Sequence, residues 1–226
     1  MVSIIVQGQL HTRLLKSIPN YLRFGNVILS TWTPENTELL DKLSNFDIQI
    51  THSELKEYEW FNRGNIYRQI YTVCRGLKLA KSEYTIKVRT DCYYENLQPI
   101  IDKLQPNKLI CSDFMYNAFP LQMGDYIIAG QTRELIKMFR LAKILCESTP
   151  KETGGGFPDP RWFNLDFPPP TESILFGCYL HSKQIYPERV ENILQKHTIT
   201  VSNDELAPYY MVSNGLKLQY QKGYRE

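Results

Sequence analysis

The sequence predicts an α/β fold, a single domain built on a mainly parallel central sheet with helices on both faces. Short apolar runs such as "VSIIVQG" (2–8) and "NVILSTW" (26–32) have the continuous hydrophobicity of strands that are buried on both faces. These runs alternate with helical segments, and that alternation is typical of parallel strands. A chain of 226 residues is long enough to bury a large core.

The first half of the chain alternates predicted strands with predicted helices. Strands are predicted at 2–8, 26–32, 46–51, 84–91 and 108–113, and helices at 10–24, at about 65–80 and at 96–104. The clearest helix carries apolar residues spaced four, three, four and three positions apart, namely Ile66, Ile70, Val73, Leu77 and Ala80. Asn62 or Asn65 can cap it. Pro19 weakens the first helix.

The second half is less regular. It holds a predicted strand at 124–130, a helix at 132–148 capped by Thr132, a helix from Thr171 and a short strand at 197–203. Between the two helices lies a long segment rich in glycine, proline and aromatic residues (151–170), which is typical of a lid or binding loop. We find no repeat, no linker and no second domain, so residues 1–226 form one predicted domain.

Composition excludes several classes of protein. The net charge is only +2, and no basic stripe interleaved with aromatic residues is present, so nucleic acid is not an expected partner. Five cysteines without CxxC spacing disfavour a disulfide framework and fit a reducing compartment. The sequence begins without a basic leader, and no apolar run approaches the ~18 residues of a membrane span. A cytoplasmic protein is expected, with contact to a membrane surface left open.

Polar residues gather where the predicted strands end. They are Gln7 and Gly8, then Ser30 to Trp32, then Arg89, Thr90 and Asp91, and finally Ser112 and Asp113. In parallel sheets, ligands bind at the carboxyl ends of the strands. A lone carboxylate such as Asp91 suits Mg²⁺ or Mn²⁺, which takes one or two carboxylates and fills its other positions with phosphate oxygens and water. The alternative is an ordinary surface ion pair or turn.

Several of these stretches together resemble the WavE lipopolysaccharide synthesis family. They are "IIVQGQL", "NVILSTWTPEN", "NIYRQIYTVCRGLKLAKSEYTIKVRTDCYY", "CSDF", "GDYIIAG" and "TESILFGCYL", which span about residues 2–180. The resemblance implies a GT-A-like glycosyltransferase, with a nucleotide-binding half at about 1–113 and an acceptor half at about 114–200. In GT-A enzymes a "DxD" motif holds the metal; the triplet Arg89-Thr90-Asp91 lacks the first Asp.

The resemblance implies roles for individual residues. Nucleotide contacts are expected from Gln7, Gly8, Thr31, Trp32, Asn65, Arg68, Gln69, Arg89, Thr90 and Asp91. Trp32 can stack on a base or ribose, or belong to the core. Asn65, Arg68 and Gln69 begin a helix, whose amino end favours phosphate; a plain cap and a solvated arginine are the alternative. Arg89 lies in a near-buried strand and therefore needs an anionic partner.

Catalysis by inversion requires a base that deprotonates the acceptor hydroxyl. Glu172 begins a helix after a proline-rich bend and is the first candidate, although an acid there also complements the helix dipole. Asp125 is the second candidate and could instead hold a donor-sugar hydroxyl, and Asp113 lies nearer the donor. Trp162 and Phe163 suit sugar stacking, or anchor their own loop. His181 is a candidate metal ligand, although a lone histidine on a helix is more often structural.

The expected reaction transfers a sugar from a nucleotide sugar, with UDP favoured, to a glycan or glycoconjugate acceptor, with Mn²⁺ or Mg²⁺ as cofactor. Two alternatives stay open. A sugar nucleotidyltransferase usually has a glycine- and lysine-rich phosphate loop after its first strand, whereas "GQLHTR" (8–13) has one glycine and no lysine. The other alternative is a catalytically silent relative that binds carbohydrate or nucleotide, because the first Asp of the metal motif is missing.

Overall fold

The computed structural model describes residues 1–32, 36–54, 66–113, 121–147, 171–185, 192–206 and 208–210. Its strands are β1 (Val2–Gln7), β2 (Gly25–Trp32), β3 (Gln49–Ser53), β4 (Tyr84–Arg89), β5 (Cys92–Tyr94), β6 (Leu109–Ser112), β7 (Ile127–Gln131), β8 (Thr198–Val201) and β9 (Pro208–Tyr210). Its helices are α1 (Leu14–Tyr21), α2 (Thr37–Ser44), α3 (Ile66–Leu77), α4 (Gln98–Ile101), α5 (Thr132–Glu147), α6 (Thr171–Ser182), α7 (Ile193–His197) and α8 (Asn203–Leu206).

Seven of these strands form one sheet in the order β3-β2-β1-β4-β7-β6-β8. Neighbouring strands are parallel except at β7, which is antiparallel to both β4 and β6. The predicted α/β fold with a mainly parallel sheet is therefore confirmed, with one strand reversed. A separate two-stranded sheet joins β5 to β9, and neither of these short strands was predicted.

Helices cover both faces of the sheet, which explains the unbroken apolar runs. In β1 the side chain of Ile5 packs into the core beneath α3, α5 and α6, whereas Ile4 and Val6 pack into the core shared with α1, α2 and α4. Alternate side chains point to opposite faces of a strand, so both sets must be apolar. Each fully buried aliphatic side chain contributes roughly 1.5–3 kcal/mol.

The close approach of α3 to the sheet is set by small residues. A methyl group at Gly76 would come within 2.7 Å of the Ile5 side chain, and the Ser30 hydroxyl donates to the main-chain oxygen of Thr72 at 2.6 Å. These contacts hold the second half of α3 against β1 and β2.

Two expectations about secondary structure need correction. Helix α2 was not predicted, although Asn36 caps it by accepting from the Leu39 amide at 2.9 Å. The helices predicted at 10–24 and 96–104 are also shorter than expected, since α1 covers eight residues and α4 only one turn. In the described ranges, no helix combines the length and apolar character needed to cross a membrane.

Candidate functional site

Six polar side chains meet at the carboxyl ends of the parallel strands. We call them the strand-end cluster: Gln69, Lys87, Arg89, Asp91, Asp125 and Glu172. The reversed direction of β7 brings them together, because Val88 near the end of β4 pairs with Ile127 at the start of β7. Asp125 precedes β7 by two residues and therefore lies beside Arg89.

Arg89 and Asp91 form a two-pronged ion pair. The Arg89 Nε donates to Asp91 Oδ1 at 2.9 Å, and Nη2 donates to Asp91 Oδ2 at 2.5 Å. The guanidinium also lies over the Tyr126 ring, 4.6 Å from its centre. The side chains are 27% and 14% exposed, so the pair is at the surface of the site and accessible to a ligand. Arg89 thus has the anionic partner that its strand position required.

Asp125 is the buried centre of the cluster, with only 2% of its surface exposed. Its Oδ2 accepts from Gln69 Nε2 at 2.5 Å, its main-chain oxygen accepts from Lys87 Nζ, and Arg89 Nη1 lies 4.0 Å from Oδ1. Burial alone would raise the pKa of Asp125, but the charges of Lys87 and Arg89 hold it below its ordinary value. Asp125 therefore stays ionised.

Glu172, in the first turn of α6, is hydrogen-bonded to the Asp125 carboxylate. Burial and the negative charge of Asp125 raise the pKa of Glu172 from 4.5 to about 7. Two carboxyl groups in contact cannot both ionise at low cost, so they share one proton, and here Glu172 carries it. Among the described residues no other donor reaches Asp125 Oδ1, and a protonated Glu172 is able to donate to it.

This raised pKa predicts a pH-dependent effect on stability. The folded state holds the Glu172 proton more tightly than the unfolded chain does, so the stabilisation is fully present below the ordinary pKa of 4.5 and is lost as the pH rises through about 7. Glu172→Gln is therefore expected to raise the free energy of unfolding at about pH 8 by on the order of 1 kcal/mol, and to leave it unchanged at about pH 4. Urea unfolding at both values checks this; an equal change at the two would contradict it.

Gly8 and Thr90 bring the ends of β1 and β4 together. The Thr90 amide donates to the Gln7 main-chain oxygen at 2.9 Å, and the Gly8 amide donates to the Ser30 oxygen at 3.2 Å. Gly8 has φ +138°, and a Cβ there would lie 2.4 Å from Thr90 Oγ1. Only glycine fits this turn without strain.

Gly8→Ala is therefore expected to lower the free energy of unfolding by about 1–3 kcal/mol, through backbone strain and the clash with Thr90. Denaturant unfolding measures the loss. Adding Thr90→Ala removes the hydroxyl that clashes, so the double variant should recover part of it. A single variant as stable as the parent would refute this account of the turn.

Besides Asp125 Oδ1, four buried polar atoms at the ends of other strands have no hydrogen-bond partner within the described part of the chain. They are Gln7 Oε1, Thr31 Oγ1, Ser53 Oγ and Ser112 Oγ, which lie at the carboxyl ends of β1, β2, β3 and β6. Buried polar atoms in folded proteins are almost always hydrogen-bonded, to protein, water or ligand. Their placement along one edge favours a polar ligand that crosses several strand ends.

Other predicted residues are distributed unevenly around this edge. Trp32 ends β2, and Arg68 and Gln69 lie in the first turn of α3, all three partly buried. Asp113 follows β6 and is exposed, and its amide donates to the Val201 oxygen. Asn65, Trp162 and Phe163, together with the loop at 151–170, lie outside the described residues.

The structure does not bring His181 to the strand-end cluster. It lies in the last turn of α6, nine residues and roughly 13 Å of helix from Glu172. The neighbouring Tyr179 hydroxyl donates to the Asn107 oxygen at 3.0 Å, just before β6 begins, so this end of α6 lies at the opposite edge of the sheet. Within the described ranges, no group of three or more His, Cys, Asp and Glu side chains could hold a metal.

Sequence reasoning missed two residues near the cluster. Lys87 is a lysine inside an otherwise apolar strand, and that placement was the available signal. His11 lies in the loop after β1, where burial lowers its pKa and the charge of Asp91 partly opposes that change. The signal for His11 was its position three residues after Gly8.

Comparison with known proteins gives one family and a set of distant structures. A family model described as WavE lipopolysaccharide synthesis matches residues 4–116, half of the 226 residues. The "GDYIIAG" and "TESILFGCYL" blocks lie beyond this match. No curated protein sequence matches the chain.

Two crystal structures are similar to parts of the chain at low identity. HddC from Yersinia pseudotuberculosis is 12% identical, with 60% of this chain and 79% of that chain covered and a TM-score of 0.38. The glycosyltransferase GlyE from Streptococcus pneumoniae TIGR4 is 9% identical, with 89% of this chain covered and a TM-score of 0.47. The match spans only 46% of the GlyE chain.

Proposed function

The chain belongs to the WavE lipopolysaccharide synthesis family, and we propose that it is a glycosyltransferase. It moves a sugar from a nucleoside diphosphate sugar to a hydroxyl group of a glycan or glycoconjugate acceptor, with inversion at the anomeric carbon. UDP-sugars are the first donors to test. The observation that carries this proposal is the contact between Glu172 and Asp125 beside Arg89, at the ligand-binding edge of a parallel sheet.

Glu172 has the properties of a general base. A base works best when its pKa is close to the working pH, and the pKa of Glu172 is raised to about 7. In its ionised form it takes the proton of the acceptor hydroxyl while that oxygen bonds to the anomeric carbon. The bond from this carbon to the diphosphate oxygen breaks, and the nucleoside diphosphate leaves with the electron pair.

The diphosphate is assigned to the β1 and β4 ends. Arg89 retains exposed surface there, and its Nη1 group, which does not bond to Asp91, can donate to a phosphate oxygen. Arg68, in the first turn of α3, adds a second cation. Gln7 and Thr31 have buried oxygens that could accept from the nucleotide, and Trp32 at the end of β2 is placed to stack on a base or ribose.

A divalent cation is part of the proposal, with Asp91 as its protein ligand. The donor set fits a cation that takes one carboxylate from the protein and its other ligands from diphosphate and water, as Mg²⁺ and Mn²⁺ commonly do. Each carboxylate oxygen has two lone pairs, so Asp91 can keep contact with Arg89. Such a cation would neutralise charge on the leaving diphosphate.

Donor screening tests the proposal. The protein is incubated with UDP-, GDP-, dTDP- and CMP-sugars, each with and without Mn²⁺, and thermal stabilisation and release of nucleotide are measured. One class of nucleotide sugar is expected to raise the melting temperature and, with an acceptor, to release its nucleotide. No stabilisation by any nucleotide or nucleotide sugar would contradict the proposal.

A catalytically silent nucleotide-sugar-binding protein is the second candidate, and the Arg89–Asp91 pair is the observation that favours it. The carboxylate that would bind the metal already satisfies a guanidinium through both oxygens. Stabilisation by nucleotide sugars without Mn²⁺ dependence, and without transfer to a panel of glycan acceptors, would indicate this candidate.

A further inference from the structure

Lys87 is a charged residue buried in the centre of the sheet. It lies in β4 between Ile5 of β1 and Ile128 of β7, and only 1% of its surface is exposed. A buried ammonium group is costly unless it is hydrogen-bonded and faces negative charge. The position therefore implies a specific partner.

That partner is Asp125, which accepts hydrogen bonds from two other members of the strand-end cluster. Lys87 Nζ donates to the main-chain oxygen of Asp125, while Gln69 of α3 donates to the Oδ2 of its carboxylate at 2.5 Å. The lysine thus fixes the backbone of the residue immediately before Tyr126 and β7, and the glutamine fixes its side chain. Glu172 of α6 then approaches a carboxylate whose position is determined.

The charge of Lys87 acts on both acids. It lowers the pKa of Asp125 and opposes the rise in the pKa of Glu172. Burial and the charge of Arg89 lower the pKa of Lys87 itself. Asp125, Cys92 and Asp91 raise it, and Asp125 has the largest effect of these three. Asp125 is therefore the largest favourable influence on the lysine, and the lysine is the main cation opposing the proton on Glu172.

We propose that Lys87 is a positioning residue of the site, which anchors the Asp125 backbone to β4 and supplies the positive charge that lets the Asp125–Glu172 pair release its proton. The catalytic part of this proposal rests on the proposed function, because release of the proton matters only if Glu172 acts as a base. The electrostatic part can be measured without any turnover.

The experiment is a carboxyl-carbon NMR titration of protein labelled in glutamate, comparing the parent with Lys87→Met. Glu172→Gln identifies the Glu172 signal by its loss. Because methionine keeps the length of the side chain without its charge, the pKa of Glu172 should rise by about one, equivalent to a tenfold smaller ionised-to-protonated ratio at a given pH. Lys81→Met, an exposed lysine before β4, is the matched control and should change nothing. An unchanged Glu172 titration in folded Lys87→Met overturns the proposal.

Turnover gives a second, separate readout. In Lys87→Met, the acidic limb of the pH–rate profile should move to higher pH together with the Glu172 titration, while KM for the donor stays near that of the parent. A general loss of structure would not produce this combination. If the titration moves but no variant or parent transfers sugar, the electrostatic role of Lys87 stands and the proposed function fails.

A measurement on the parent protein decides the case in which Lys87→Met does not fold. Lysine labelled at Nζ reports the charge of Lys87 directly. The proposal requires that Lys87 stays protonated throughout the titration of Glu172. A neutral Lys87 in that pH range would overturn it.

Discussion

Glu172→Gln is expected to lower the turnover of sugar transfer by at least ~10²-fold, the usual contribution of a positioned base. Glutamine keeps the size and hydrogen-bonding capacity of the side chain, but it cannot accept the proton of the acceptor hydroxyl. Initial rates with saturating donor and acceptor measure the effect. Glu83→Gln is the matched control, because Glu83 is an exposed carboxylate that precedes β4, at the opposite end of that strand from the strand-end cluster.

The pH profile separates loss of a base from loss of structure. Glu172 acts when ionised, and its pKa is raised to about 7, so kcat/KM for the parent should increase as the pH rises through about 7. That limb should disappear in Glu172→Gln. Nucleotide affinity should change little, since the diphosphate is assigned to the β1 and β4 ends. Near-normal transfer, or a loss of nucleotide binding together with turnover, would exclude Glu172 as the base and make Asp125 the next candidate.

Asp91→Ala is expected to abolish the metal-dependent part of nucleotide binding while the fold survives. Asp91 is the proposed protein ligand of the cation, so its loss leaves the metal with only diphosphate and water. The affinity for a nucleoside diphosphate is measured by calorimetry with Mn²⁺ and again with a chelator. The parent should bind more weakly in the chelator, whereas Asp91→Ala should bind equally in both.

The Arg89–Asp91 pair makes a control necessary. Removing Asp91 also frees the Arg89 guanidinium, which can strengthen metal-independent contact with phosphate, so the comparison of interest is between Mn²⁺ and chelator for each protein. Asp113→Ala changes another strand-end carboxylate and should keep the Mn²⁺ dependence of the parent. An Asp91→Ala protein with undiminished Mn²⁺ dependence would show that the metal ligand lies elsewhere.

Local sequence patterns were sufficient for the seven strands of the large sheet and for the polar residues at their ends. Apolar runs such as "VSIIVQG" predict doubly buried strands because both faces must be covered, and the first polar residue after each run marks the edge. The direction of β7 could not be predicted, since a strand of five residues has the same local pattern in either direction. The proximity of Asp125 to Arg89 depends on that direction.

Lys87 and His181 show the limits of reasoning from periodicity. Lys87 alternates with Ile86 and Val88, and this pattern favours a solvent-facing side chain, but the face in question is covered by helices and the lysine is buried. His181 and Glu172 lie on one predicted helix, yet a helix of twelve residues is long enough to separate them across the sheet. Both outcomes depend on tertiary packing.

The position of β7 between β4 and β6 also determines which fragments of the chain can be expressed in folded form. A fragment that ends at residue 116, where the family match ends, would retain β4 without its neighbour β7. It would also retain β6 without either of its partners, β7 and β8. An open central strand is a template for intermolecular pairing, so such a fragment should aggregate on expression. The matched region therefore lacks pairing partners for β4 and β6, and fragments used for biochemistry need to extend at least through β8.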